Sequence, residues 1–117
     1  MQAEVHEETI DAAPEDVWGF MVDPGALSAW FGADAWLEPR AGGAVRFRFA
    51  DGVERRGSVE EVTPFRELTW RWREHRGAGF GSTIGDVSLV TIELRRTAGG
   101  TRVRITERPA AALAATA

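Results

Sequence analysis

The chain has 117 residues and a formal net charge of -4, with apolar residues at 44% and charged residues at 27%. This length suits one hydrophobic core, so we expect a single domain over residues 1–117. The lack of cysteine excludes disulfides and zinc–thiolate sites and fits a cytoplasmic location, and the acidic balance disfavours nucleic-acid binding. No signal peptide is evident, and no apolar stretch reaches the roughly 18 to 20 residues that span a bilayer. The 14 basic residues are all arginine, which is typical of a GC-rich bacterial genome.

The first part of the chain predicts a strand followed by two short helices. The mixed, β-branched segment Gln2–Ile10 favours a strand. Pro14 suits a first helical position, and apolar residues recur at helical spacing over about 14–21. A second helix is predicted over Pro24–Trp30, and Gly32 favours its end.

From Ala33 onward the apolar period changes to two, as in strands with one buried face. The predicted strands are Ala33–Glu38, Val45–Phe49, Val53–Val62, Leu68–Arg73, Val87–Arg95 and Thr101–Glu107. Turns are expected at Asp51-Gly52 and Ala98–Gly100, with a glycine-rich loop between Glu74 and Gly85. Such consecutive hairpins predict a curved antiparallel sheet with an apolar concave face. The convex face should carry Arg46, Arg48, Arg71, Arg73, Arg102 and Arg104 with Glu54, Glu67 and Glu93.

A series of short motifs runs from about Glu8 to Glu107. They are Ala13-Pro14-Glu15-Asp16-Val17-Trp18, Asp23-Pro24, Trp30-Phe31-Gly32, Gly42-Gly43, Asp51-Gly52, Leu68-Thr69-Trp70, Gly99-Gly100-Thr101-Arg102 and Thr106-Glu107. In order and spacing they resemble the START-like helix-grip superfamily, SRPBCC. The most similar branch is the one named for the homologue of the heat-shock-protein-90 ATPase activator. The resemblance implies an α+β helix-grip fold, in which about seven antiparallel strands curve around an apolar cavity, with two short helices after the first strand.

The C-terminal tail departs from that resemblance. Family members continue after the segment matching Thr106-Glu107-Arg108 into a long amphipathic helix along the sheet. Here Pro109–Ala117 could form only about 14 Å of helix, and Leu113 is its only larger apolar residue. We therefore expect a truncated C-terminal helix and a poorly covered concave face. Two explanations of the short tail are favoured: a truncated sequence, or a homodimer that closes through the concave face. The third is a looser domain with a shallow groove.

The alternating aromatic residues suggest a ligand cavity, with plain core packing as the competing interpretation. Ligand pockets are mostly apolar with a few placed polar groups. The apolar candidates are Trp30, Trp36, Phe47, Phe49, Trp70, Trp72, Phe80, Ile92 and Val103. The polar candidates are His6 and Glu8, with His75 as a further one. The expected partner is therefore a hydrophobic or amphipathic small molecule.

The sequence offers no pattern for catalysis or for metal binding. His6 and His75 are the only histidines and lack a metal-ligand spacing. Adjacent glutamates on a strand point to opposite faces, so they make poor acid–base partners. The segment Gly77–Gly81 opens no predicted helix, which disfavours phosphate binding. We expect no catalytic residue, cofactor or metal. A protein-interaction or chaperone-cofactor-like module is the alternative to ligand binding, and a cavity enzyme such as a cyclase or hydrolase is less favoured.

Overall fold

One antiparallel sheet and two short helices form the domain. The computed structural model describes residues 4–76 and 85–110. Its elements are β1 (Glu4–Ile10), α1 (Pro14–Val22), α2 (Pro24–Phe31), β2 (Asp34–Leu37), β3 (Ala44–Arg48), β4 (Glu54–Thr63), β5 (Glu67–His75), β6 (Ser88–Thr97) and β7 (Gly100–Pro109). The predicted order of strand, two helices and six strands is confirmed. The predicted C-terminal helix lies outside the described residues, apart from its first two.

The sheet order is β1-β7-β6-β5-β4-β3-β2, and every neighbouring pair is antiparallel. The strands from β2 to β7 form successive hairpins, and the last of them, β7, pairs with the first strand of the chain, β1. The sheet curls into a half-barrel, and α2 packs against the edge strand β2. This is the predicted α+β helix-grip fold.

Local chemistry fixes the two helices. Pro14 occupies the first turn of α1, where its missing N–H costs no hydrogen bond. Asp23 ends α1 and caps α2, because its carboxylate accepts a hydrogen bond from the backbone N–H of Ala26 at 2.9 Å. Gly32 then ends α2 in the left-handed conformation, with φ of 65°.

The β6–β7 hairpin is joined to the start of α1. The Thr101 hydroxyl is buried and donates a hydrogen bond to the carbonyl oxygen of Ala12 at 2.7 Å. Gly100 has φ of 132° and lies so close to the Ile10 carbonyl that a Cβ atom would overlap it. This contact sets where α1 begins relative to the sheet.

Side chains alternate between the two faces of the sheet, and burial follows that alternation. The concave face carries the main core, whose strand residues include Val45, Phe47, Val59, Leu68, Trp70, Trp72, Val90, Ile92 and Val103. The nine arginines and glutamates predicted for the convex face occupy the opposite set of register positions. Ion pairs there include Arg48–Glu54 at 3.5 Å and Arg104–Glu7 at 3.3 Å. Because these pairs are solvent-exposed, each contributes at most about 1 kcal/mol.

Candidate functional site

Four aromatic rings fill the centre of the concave face, and we call them the packed cluster: Phe31, Phe47, Trp70 and Trp72. Phe31 reaches down from α2, and its ring centroid lies 5.1 Å from that of Phe47 in an edge-to-face arrangement. The Phe47 and Trp72 centroids are 5.0 Å apart, and those of Trp70 and Trp72 are 5.6 Å apart. These distances are typical of packed aromatic pairs. Three predicted cavity residues are therefore part of the core, and their contact with a ligand stays a prediction.

Strand β1 presents a different surface on the same concave side. Glu8 pairs in register with Val103, and His6 pairs with Ile105. Register partners point to the same face, so both predicted polar residues lie on the concave side. The side chain of His6 is nevertheless 67% exposed and that of Glu8 is 50% exposed. The described helices therefore leave this part of the concave face open.

An apolar cleft separates β1 from the two helices, and we call it the β1 cleft. Its volume is about 240 Å³, and its lining residues are Glu8, Ile10, Val17, Phe20, Met21, Ala26 and Trp30. Val17 and Met21 form its buried floor, whereas Phe20 is 62% exposed. Glu8 is the ionisable residue among the described residues that line it. The cleft thus brings together two of the predicted site residues, Glu8 and Trp30.

Three residues form a hydrogen-bonded network on the concave face beside the packed cluster. We call it the Arg55 network: Arg55, Trp72 and Glu107. Trp72 Nε1 donates a hydrogen bond to Glu107 Oε2 at 2.9 Å. Arg55 Nη1 donates to the same oxygen at 3.2 Å, and its guanidinium lies 5.0 Å from the Trp72 ring centroid. These residues come from β4, β5 and β7, so curvature of the sheet brings them together. The network links the packed cluster to β7.

The sequence analysis did not single out Arg55 or Glu107 as site residues. The alternation of side chains along each strand could have placed both residues on the concave face. Arg55 shares a face with Val59 on β4, and Glu107 shares a face with Val103 on β7. Charged residues at such positions are expected to be paired, as these two are.

The placement of Trp36 on the cavity wall is wrong. Ala35 and Leu37 occupy the buried positions of the short strand β2, so alternation turns Trp36 to the convex face opposite Arg46. Its side chain is half exposed there. His75 also takes a convex position, in register with Glu54, which rules it out as a polar group of the concave face.

The remaining predicted residues divide between core and periphery. Ile92 and Val103 are fully buried beneath the helices. Phe49 is half buried, and its ring centroid lies 6.0 Å from the Arg55 guanidinium carbon. Phe80 lies outside the described residues.

Residues 4–76 and 85–110 contain neither a metal-holding cluster nor a membrane-spanning helix. No group of three or more His, Asp or Glu residues there could hold a metal ion. No helix in those ranges is long and apolar enough to cross a bilayer.

The family model for Activator of Hsp90 ATPase homolog 1-like proteins matches residues 11–117. The chain belongs to this family. The resemblance carried by the sequence motifs is therefore confirmed. No curated protein matches the chain.

Solved structures agree on the fold of this family member. A protein from Mesorhizobium loti has a TM-score of 0.78 at 24% identity, covering 92% of this chain and 76% of that one. The Aha1 dimer from Colwellia psychrerythraea, solved in solution, has a TM-score of 0.71 at 20% identity, covering 93% and 77%. A protein from the dynemicin biosynthetic locus has a TM-score of 0.73 at 23% identity, covering 99% of this chain and 42% of that one. At these identities the similarity shows the fold alone.

Proposed function

We propose that this family member binds a hydrophobic or amphipathic small molecule and that the β1 cleft holds its apolar end. The observation that carries the proposal is the cleft itself, an apolar hollow beside an open stretch of sheet, with Glu8 as the single carboxylate among the described residues that line it. Ligand sites typically combine apolar walls with a few placed polar groups.

The size of the cleft limits what it can hold. Its volume of about 240 Å³ is below the roughly 300–1,000 Å³ of pockets that enclose a whole drug-sized ligand. The cleft therefore suits one aromatic ring or a short alkyl chain. The rest of a longer ligand would lie along the concave side of β1 and β7, over His6 and Ile105 and toward Glu107.

The predicted site residues take three roles in this proposal. Trp30, Glu8 and His6 contact the ligand, the first two from the walls of the cleft. Phe49 borders the Arg55 network, where a long ligand would end. The buried residues Phe47, Trp70, Trp72, Ile92 and Val103 belong to the core, and their contact with a ligand stays a prediction.

Tryptophan fluorescence with matched variants tests the proposal. Trp30 borders the cleft, whereas Trp36 lies half exposed on the convex face. We expect phenylbutanol, a neutral probe of suitable size, to change the emission of the wild type and of Trp36→Phe with an about millimolar Kd. Trp30→Phe should lose most of that change. A signal that survives in Trp30→Phe, or that is absent from all three proteins, would contradict the cleft as the binding site.

Self-association through the concave face is the second candidate function. It is supported by the exposure of Phe20, at 62%, beside the open concave side of the edge strand β1. The Aha1 protein from Colwellia psychrerythraea was solved as a dimer. Native mass spectrometry of the purified chain should then show a dimer that Phe20→Asp converts to monomer. A monomer across micromolar concentrations would remove this candidate.

A further inference from the structure

We propose that the ligand of the β1 cleft is an amphipathic organic amine whose cationic end lies against Glu8. This inference rests on the proposed function and adds the charge of the ligand to it. It follows from the charges that face the cleft and from the rings that line it.

The carboxylate of Glu8 has no permanent counter-charge among the described residues. Its ion-pair contact there is with His6 Nε2 at 3.8 Å, which is longer than a hydrogen bond, and imidazole is charged only when protonated. The neighbouring Glu7 differs, because its Oε2 lies 3.3 Å from Arg104 Nε on the convex face. Glu8 therefore places a negative charge at an apolar site without an arginine to balance it.

The other lining groups suit a cation as well. Trp30 lines the cleft, and indole is the ring that attracts organic cations most strongly. Phe20 adds a second ring, and Met21 a polarizable sulfur. An ammonium group attached to a ring or alkyl chain can thus meet a carboxylate and an aromatic face in one small space.

An anionic ligand finds no equivalent partner. The arginines at concave positions of β4 and β6, Arg55 and Arg96, each lie 3.2 Å from a carboxylate oxygen, of Glu107 and Glu15 respectively. On β1 the concave positions carry Glu4, His6 and Glu8. A ligand carboxylate in the cleft would therefore meet repulsion from Glu8 without compensation.

Three probes with a four-carbon chain on a phenyl ring separate charge from apolar binding: phenylbutylamine, phenylbutanol and phenylbutyrate. Isothermal titration at neutral pH and low salt should give the tightest binding for the amine and the weakest for the carboxylate. An exposed ion pair together with a cation–π contact corresponds to an advantage of about three- to thirty-fold in Kd for the amine over the alcohol.

The matched variants are Glu8→Gln and Glu7→Gln, which remove the same charge from opposite faces of one strand. Glu8→Gln should reduce the preference for the amine to the smaller part that the Trp30 ring supplies, whereas Glu7→Gln should keep the full preference. Thermal unfolding of both variants checks that the fold is retained.

The possible failures are distinct. Equal binding of all three probes, tighter binding of the carboxylate, or an amine preference that is undiminished in Glu8→Gln overturns the amine proposal and leaves the cleft as a binding site. Absence of binding by every probe overturns the proposed function, and the amine proposal with it.

Discussion

The two halves of the concave face share one sheet and one alternation of side chains, yet they differ in how far the helices cover them. In the half formed by β3, β4 and β5, Phe31 of α2 closes over the sheet, and Phe47 and Trp70 are fully buried. On the edge strand β1, His6 and Glu8 occupy equivalent concave positions and remain at least half exposed, although Val103 of the neighbouring β7 is buried. Position on the concave face therefore does not by itself define a cavity, because a helix must also lie above that position at the right distance.

The Arg55 network lies at the boundary between these halves. Trp72 belongs to the packed cluster, and Glu107 belongs to β7, the strand that pairs with β1. Arg55 satisfies the carboxylate and stacks on the indole, so a half-buried charge is tolerated next to the core.

The largest effect is expected from truncating a ring in the packed half. Phe47→Ala removes a fully buried ring that contacts Phe31 and Trp72, and should lower the free energy of unfolding by about 3–5 kcal/mol. Phe20→Ala in the open half should change it by less than about 0.5 kcal/mol. Urea denaturation of both variants measures the contrast. Similar losses for the two would mean that the halves do not differ in packing.

A backbone contact in the packed half should give the next largest effect. A Cβ atom on Gly57 would overlap the backbone oxygen of Arg71 and lie 2.6 Å from the Cα of Trp72. Gly57→Ala must therefore push β4 away from β5, at a cost of about 1–3 kcal/mol. Gly99→Ala is the control, because nothing lies within 4 Å of its added carbon. Equal melting temperatures for the two variants would contradict the close approach of these strands.

Substitutions in the Arg55 network should give the smallest loss of unfolding free energy. Glu107→Gln keeps an acceptor for Trp72 but removes the charge that pairs with Arg55, and should cost about 1 kcal/mol because the pair is partly exposed. Arg55→Met leaves the carboxylate unpaired and should cost a similar amount. In a double-mutant cycle, the combined variant should lose less than the sum of the two single losses. Additive losses would show that the residues are not coupled.

Much of the fold could be predicted because hydrophobic period and turn residues are local signals. Val45, Phe47 and the alternating Arg46 and Arg48 predicted one strand with one buried face, which is β3. Asp23-Pro24 predicted the break between the helices, and the structure shows why, since Asp23 ends one helix and caps the next. The convex arginines followed from the same alternation.

The candidate site could be predicted only in part. Trp30, His6 and Glu8 could be predicted because aromatic residues and a few polar groups suit a ligand pocket. Trp36 was placed wrongly because its own strand is short and its neighbours Ala35 and Leu37 take the buried face. Arg55 and Glu107 were missed because only the curvature of the sheet brings β4 and β7 close enough for these two residues to pair.

The sequence by itself determined the strands, the helices, the antiparallel meander and the family, because each depends on patterns among residues close together in the chain. Only the tertiary structure decided which concave residues are core and which border the β1 cleft. That division depends on where α1 and α2 lie over the sheet, and on the pairing of β1 with β7, which brings together residues from opposite ends of the described chain. Such placement results from the summed packing of the whole domain, and no local pattern encodes it.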